Sequence, residues 1–202
     1  IYIRGGRSRQ VLVLIDGVRY NDHTSTSGAP FENIMVHDIK RIELIKGAQS
    51  GIWGADASAG VINIITNDAK KDLHGGINLE YGSFNTKKYG VNLSYANEDY
   101  YVKASYNKIT TDGFTAYAAK GTDIDSYEDD AYENETIGLK TGFNLDDENK
   151  IDFGYSVSKS ENEFDNSGSD SLTNESSSKN KFYTINYENI NSVAKTNVYF
   201  NR

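Results

Sequence analysis

From about residue 75 to its end, the chain places apolar side chains at every second position. Ile77, Leu79 and Tyr81 fall on one side of a strand whose other side carries Asn78, Glu80 and Gly82. Tyr89, Val91, Leu93 and Tyr95 repeat the scheme, as do Tyr100, Val102, Ala104 and Tyr106. Ile137, Leu139 and Phe143 follow, then Ile151, Phe153, Tyr155 and Val157, and weaker strands are predicted over 182–187 and 193–200. A period of two belongs to a β-strand with two unlike faces. Seven such segments of about ten residues each have the length of strands that cross a bilayer.

Residues 1–70 follow other rules. The run VLVLIDGVRY (11–20) is a buried strand that turns at Asp16-Gly17, a strong hairpin dipeptide. DIKRIELIKG (38–47) alternates so that at least one face is apolar, and GVINIIT closes the region as a third strand. Between them, KGAQSGIWGADASAG supplies the small residues needed where backbone turns sharply or approaches another surface. This is a small α+β unit without internal repeats.

The connections after residue 75 are also ordered. They span 85–87, 97–99, 111–133, 145–150, 161–179 and 188–192, and both long ones occupy odd places in the series. Segregation of long loops to one end is the habit of outer-membrane barrels, whose outer loops are long and whose inner turns are short. Alternation alone would also describe one face of a soluble sheet. Against that, the polar faces hold mainly Asn, Ser, Gly and Thr, which suit a hydrated or plugged lumen better than open solvent.

Composition narrows the field further. Hydrophobic residues are only 37%, yet aromatics reach 12% with 15 Tyr, a balance that excludes disorder and fits half-wet strands. The longest apolar run is Val11–Ile15, far short of a spanning helix. A net charge of −8 with no basic stripe argues against nucleic acid. With no Cys, disulfides and thiolate sites are excluded, and His23, His37 and His74 lack metal-ligand spacing. No nucleophile–base pair, dinucleotide loop or P-loop occurs, so an enzyme is not expected. The ends, IYIRGG and NVYFNR, both read as strand, so the chain is expected to be a segment of a longer protein.

IRGG (3–6), VLVLIDGVRYND (11–22), IKRIELIKGAQSGIWGADASAGVINIIT (39–66) and the strands after them resemble the TonB-dependent outer-membrane receptors. Ala48, Trp53 and Ala59 depart mildly from that family's pattern. The resemblance implies an α+β plug domain over 1–70, seated in a barrel of about 22 strands, and antiparallel transmembrane β-barrel strands (a partial barrel) over 71–202. It implies that the small residues of 47–60 serve packing, with no binding role for Gly47, Gly54 or Gly60. It also implies outer-membrane lipid around the chain and a TonB-type energy-coupling protein acting through an upstream segment outside these residues.

Within the family the cobalamin branch is the most similar. Arg7 in the first plug loop, and Ser25 and Thr26 in the second, stand where that branch touches its ligand, although the residue type at Arg7 departs from it. TTDGFTAYAAKG with YEDDAY resembles an outer loop of the branch, where calcium orders the chain. Asp123, Asp125, Glu128 and Asp130, with Asp129, would supply the oxygen ligands calcium requires. Two other readings stay open: a ferric-siderophore or haem receptor of the same fold, and a soluble β-rich binding or adhesion module.

Overall fold

The computed structural model describes residues 1–21, 28–31, 34, 38–115, 117, 123, 127–165, 173–191 and 193–201. It divides after Asp68 into two compact units.

The first unit is a four-stranded sheet of β1 (Val11–Ile15), β2 (Val18–Arg19), β3 (Ile39–Lys46) and β4 (Gly60–Thr66). Its order is β2-β1-β4-β3, with β1 parallel to β4 and the other pairs antiparallel. The two central strands are the most apolar runs, and they hold the core. Val11, Leu12, Val13, Leu14, Val61, Ile62 and Ile64 are all buried, and Ala57 is packed with Leu12, Leu14 and Val61. One helical turn, α1 (Ser50–Trp53), and short 3-10 turns at Ser8–Gln10 and Ala55–Ala57 complete it. β3 is an edge strand, and Ile42 and Leu44 on it remain half exposed.

The predicted turn between β1 and β2 is present, with φ +50° at Asp16 and +81° at Gly17. Positive φ at both positions is what the right-handed twist of a two-residue hairpin requires. Asp16 does more than turn the chain. Its Oδ1 accepts from the Thr66 amide at 2.9 Å and its Oδ2 from the Thr66 hydroxyl at 2.7 Å, tying the hairpin to the end of β4. Arg19 and Asp56 form an ion pair across the same unit.

On β3, Glu43 accepts from Arg41 Nε at 2.8 Å and from Asn63 Nδ2 at 3.1 Å. These two bonds, led by Arg41, hold the Glu43 carboxyl below its ordinary value. A carboxylate lowered on folding stabilises above its unfolded pKa, and that contribution is lost as pH falls through the folded one. Glu43→Gln is therefore expected to lower neutral stability slightly and leave stability at low pH unchanged, flattening the acid limb of a stability–pH curve below about pH 4.5. A parallel downward shift at every pH would contradict this.

The second unit is a seven-stranded antiparallel meander. It runs through β5 (Asp72–Tyr81), β6 (Lys87–Ala96), β7 (Tyr100–Thr111), β8 (Tyr132–Asn144), β9 (Asn149–Glu163), β10 (Glu175–Ile190) and β11 (Lys195–Asn201), each beside the next. The seven predicted segments are all strands. β9 and β10 run longer than expected, so the connection drawn over 161–179 shrinks to 164–174. The long connections still occupy the odd places, at 112–131 and 164–174.

Register carries the apolar positions into rows. Ile77, Val91, Tyr106, Ile137 and Val157 lie side by side across five strands. Nearer the short turns, Tyr100, Phe143, Ile151 and Tyr187 form another row. This face is open: Ile77 is 75% exposed and Leu79 is 71% exposed. The opposite face buries small polar side chains, with Asn134 at 0%, Ser158 at 4% and Asn107 at 5% exposure. Exposed aliphatics beside buried amides and hydroxyls invert the rule for proteins in water. Such an arrangement fits strands whose outer solvent is lipid, and it sets the soluble β-rich module aside.

The apolar run also slides along the sheet. Its outer limit is Tyr81 in β5, Tyr89 in β6, Tyr106, Ile137 and Val157 in the next three, and Tyr183 in β10. Averaged with the smaller drift of the inner limit, the slide is about four residues over five strand steps. At standard spacings that is roughly 14 Å along against roughly 24 Å across, a tilt of about 30°, near the 35–45° of membrane barrels.

Candidate functional site

The first plug loop is built on a tight turn, in which the Gly6 amide donates to Ile3 O at 2.9 Å. Arg7 follows and caps the next turn reciprocally. Its amide donates to Gln10 Oε1 at 2.8 Å, and the Gln10 amide donates to Arg7 O at 2.8 Å. The backbone at Arg7 is thus fixed while its side chain is exposed. A hollow of about 250 Å³ lies beside the same loop, lined by Ile3, Arg4, Gly6, Gln10, Gly47, Ser58 and Ala59. It is smaller than the roughly 300–1,000 Å³ of ligand pockets, and Arg7 does not line it.

Ser25 and Thr26 lie outside the described residues, as does Asp125. Asn21 is buried and stands in for a missing strand neighbour of β1. Its Oδ1 accepts from the Val13 amide at 2.7 Å, and its Nδ2 donates to Val11 O at 2.9 Å. Gly28 sits on Ser8 with φ +90°, and a Cβ there would come within 2.6 Å of Ser8 Oγ. That close approach packs Gly28 against the turn at Ser8–Gln10, which follows Arg7. Sequence reasoning missed Asn21 and Gly28. A buried Asn directly after a strand was the available signal for the first.

In the second unit the long-loop end is stitched by polar bonds between adjacent connections. Thr115 is buried, donates to Tyr117 O at 2.7 Å and lies 3.4 Å from Asp165 Oδ2. The Ala131 amide donates to Glu163 Oε2 at 3.0 Å. Tyr117 and Tyr127 meet edge to face at 6.1 Å, and Phe84 packs on Phe114 at 5.4 Å. Asp123 and Asp129 are exposed, whereas Glu128 and Asp130 are half-buried. Among the described residues no three carboxylates or imidazoles converge as a metal site would require, and Asp125 cannot be placed with them.

Comparison with known proteins agrees with this architecture. Residues 1–61 match the family model for the TonB-dependent receptor plug domain. The chain is 43% identical over 83 residues to the vitamin B12 transporter BtuB of Vibrio vulnificus, covering 41% of this chain and 13% of that protein. It is 29% identical over 169 residues to BtuB of Photobacterium profundum, covering 83% of this chain and 27% of that one. The chain therefore spans about a quarter or less of the curated relatives it matches. Among solved structures, the siderophore receptor PirA of Acinetobacter baumannii superposes over 96% of this chain and 32% of its own, with TM-score 0.77 at 18% identity. The ferric enterobactin receptor PfeA of Pseudomonas aeruginosa does so over 96% and 32%, with TM-score 0.73 at 18% identity. At that identity the likeness speaks for fold.

Proposed function

We propose that this chain, a TonB-dependent receptor of the bacterial outer membrane with its plug and part of its barrel, serves to import a scarce nutrient too large for porins, and that the nutrient is a cobalamin. Sequence likeness to two vitamin B12 transporters is the observation that supports this cargo. The siderophore receptors resemble the chain in fold at 18% identity, which carries no information about ligand.

In this reading the ligand is held from outside by plug and barrel loops, and no covalent chemistry is done on it. Arg7 offers an exposed cation on a rigid turn, and Ser25 and Thr26 offer hydroxyls suited to the amide arms of a corrinoid. A TonB-type protein pulls on the plug and opens a path to the periplasm. Calcium at Asp123, Asp125, Glu128 and Asp130 belongs to the same reading and rests on the clustering of acids in sequence.

The test is cyanocobalamin binding to outer membranes carrying the full-length receptor, with calcium and with a chelator. Tight binding that weakens on chelation is expected. Replacing Ser25 and Thr26 together by Ala should weaken it by about tenfold, the worth of two ordinary hydrogen bonds. Absence of cobalamin binding in both conditions, with binding of a ferric siderophore instead, would move the cargo to the rival reading. Binding indifferent to chelation would remove the calcium role.

A further inference from the structure

On the polar face of the seven-stranded sheet, two adjacent rows carry no charge. In register across β5 to β10, the first reads Asn78, Gly90, Asn107, Thr136, Ser158 and Asn180. The next row toward the short turns, running from Gly76 on β5 to Phe182 on β10, is uncharged as well. Charges resume in the rows on either side. Glu80 and Lys88 stand together toward the long loops, and Lys103 and Lys140 face each other toward the short turns.

Glycines lay the polar side chains of these rows flat. A Cβ on Gly90 would stand 3.1 Å from Asn107 Oδ1, one on Gly76 3.1 Å from Asn92 Nδ2, and one on Gly138 2.8 Å from Ser105 Oγ. Each glycine seats the polar group of the adjacent strand where a side chain would push it off. The result is a smooth, neutral wall of amides and hydroxyls. Beside Asn107 that wall is bonded within itself. Thr136 Oγ1 lies 3.0 Å from Ser158 Oγ and 3.1 Å from Asn134 Oδ1, and Asn134 Nδ2 donates to Ser158 Oγ at 3.3 Å. Asn107 differs. It is only 5% exposed, yet its Oδ1, held over Gly90, meets no donor among the described residues. A buried oxygen without a partner costs free energy until a donor reaches it.

We propose that this neutral row, with Asn107 at its centre, is the stretch of barrel wall that hydrogen-bonds the amide arms of the cargo in transit. The inference rests on the cobalamin reading above and adds the residue that the cargo meets after leaving the outer loops. Primary amides both donate and accept, so they exchange partners with Asn, Ser and Thr at little cost. The Asn107 oxygen supplies the acceptor for an amide N–H. An anionic iron chelate finds no cation in either row. Asn107 and Ser158 are covered in this structure, in keeping with a path that opens only during transport.

The experiment uses cells carrying the full-length receptor and follows uptake of radiolabelled cyanocobalamin, with its binding to isolated outer membranes measured in parallel. Asn107→Leu is expected to lower the maximal uptake rate about fivefold, the worth of one hydrogen bond, and to leave the binding affinity unchanged. Asn107→Thr, which keeps a hydroxyl at the position, should recover most of the rate. Uptake by Asn107→Leu as fast as by the parent, with binding intact, overturns the proposal. A joint fall in uptake, binding and thermal midpoint would make Asn107 a structural residue only and overturn it too. A parent that neither binds nor imports cyanocobalamin fails the cargo reading itself, and the proposal falls with it.

Discussion

Gly142→Ala is expected to destabilise the barrel by about 2–4 kcal/mol, a large effect for one methyl group. Gly142 lies between Tyr101 on β7 and Asp152 on β9 in register. The Tyr101 ring crosses over it and donates its hydroxyl to Asp152 Oδ1 at 2.7 Å. A Cβ on Gly142 would sit 2.1 Å from Tyr101 Cε1 and 2.3 Å from Asp152 Oδ1. The ring cannot stay, and with it go the bond to Asp152 and the seat of Lys150, whose Nζ lies 5.0 Å from the ring centroid. Asn186 Nδ2, bonded to Asp152 Oδ2 at 3.3 Å, loses its fixed partner as well. Urea unfolding of the full-length receptor in vesicles measures the cost. In a Tyr101→Ala background the same Gly142 substitution should cost less than about 1 kcal/mol, since the ring is gone and Asp152 Oδ1, no longer held by the Tyr101 hydroxyl, can turn aside. Equal costs in both backgrounds would mean that the ring is not the cause.

Asn21→Leu is the second large effect, about 2–4 kcal/mol in the plug. Leu matches the volume of Asn closely enough to avoid a cavity, but it leaves the Val13 amide and the Val11 carbonyl without partners in a buried place. Each orphaned group carries its own desolvation penalty. Hydrogen exchange should show the loss first at the Val13 amide, whose protection falls by about 100-fold or more. Asn21→Asp keeps the acceptor for Val13 and loses the donor for Val11, so it should keep more of that protection. If Val13 exchanges as slowly in Asn21→Leu as in the parent, the strand-neighbour role of Asn21 is wrong.

The tight place at Gly142 was invisible to pattern reading, for one reason. Tyr101 and Asp152 are 51 residues apart, and only the register of three strands brings them over Gly142. A slip of one residue would send all three to other faces. Alternation, by contrast, is local, so the seven strands and the turn at Asp16-Gly17 could be read directly. The outer ends of β9 and β10 could not, because ESSSKN at 175–180 is polar at both parities and gives no period to follow. The plug motifs were legible as a resemblance, and the match over residues 1–61 agrees with it. Of the proposed ligand contacts, Arg7 is fixed on a capped turn, and Ser25 and Thr26 fall outside the described residues.

The parallel pairing of β1 with β4 has a mechanical meaning. A pull delivered from the N-terminal side, as the proposed energy coupling requires, enters β1 at Val11 and is resisted where β4 leaves the sheet at Thr66. In parallel strands those two points lie at opposite ends of the shared ladder, which pairs Val11 with Gly60 through to Ile15 with Ile64. The ladder is loaded along its length, and its bonds must yield together rather than one after another. The antiparallel hairpin to β2 holds only Leu14 with Arg19 and Ile15 with Val18. Under tension the centre of the plug resists as a block, and yielding starts in the segments around it.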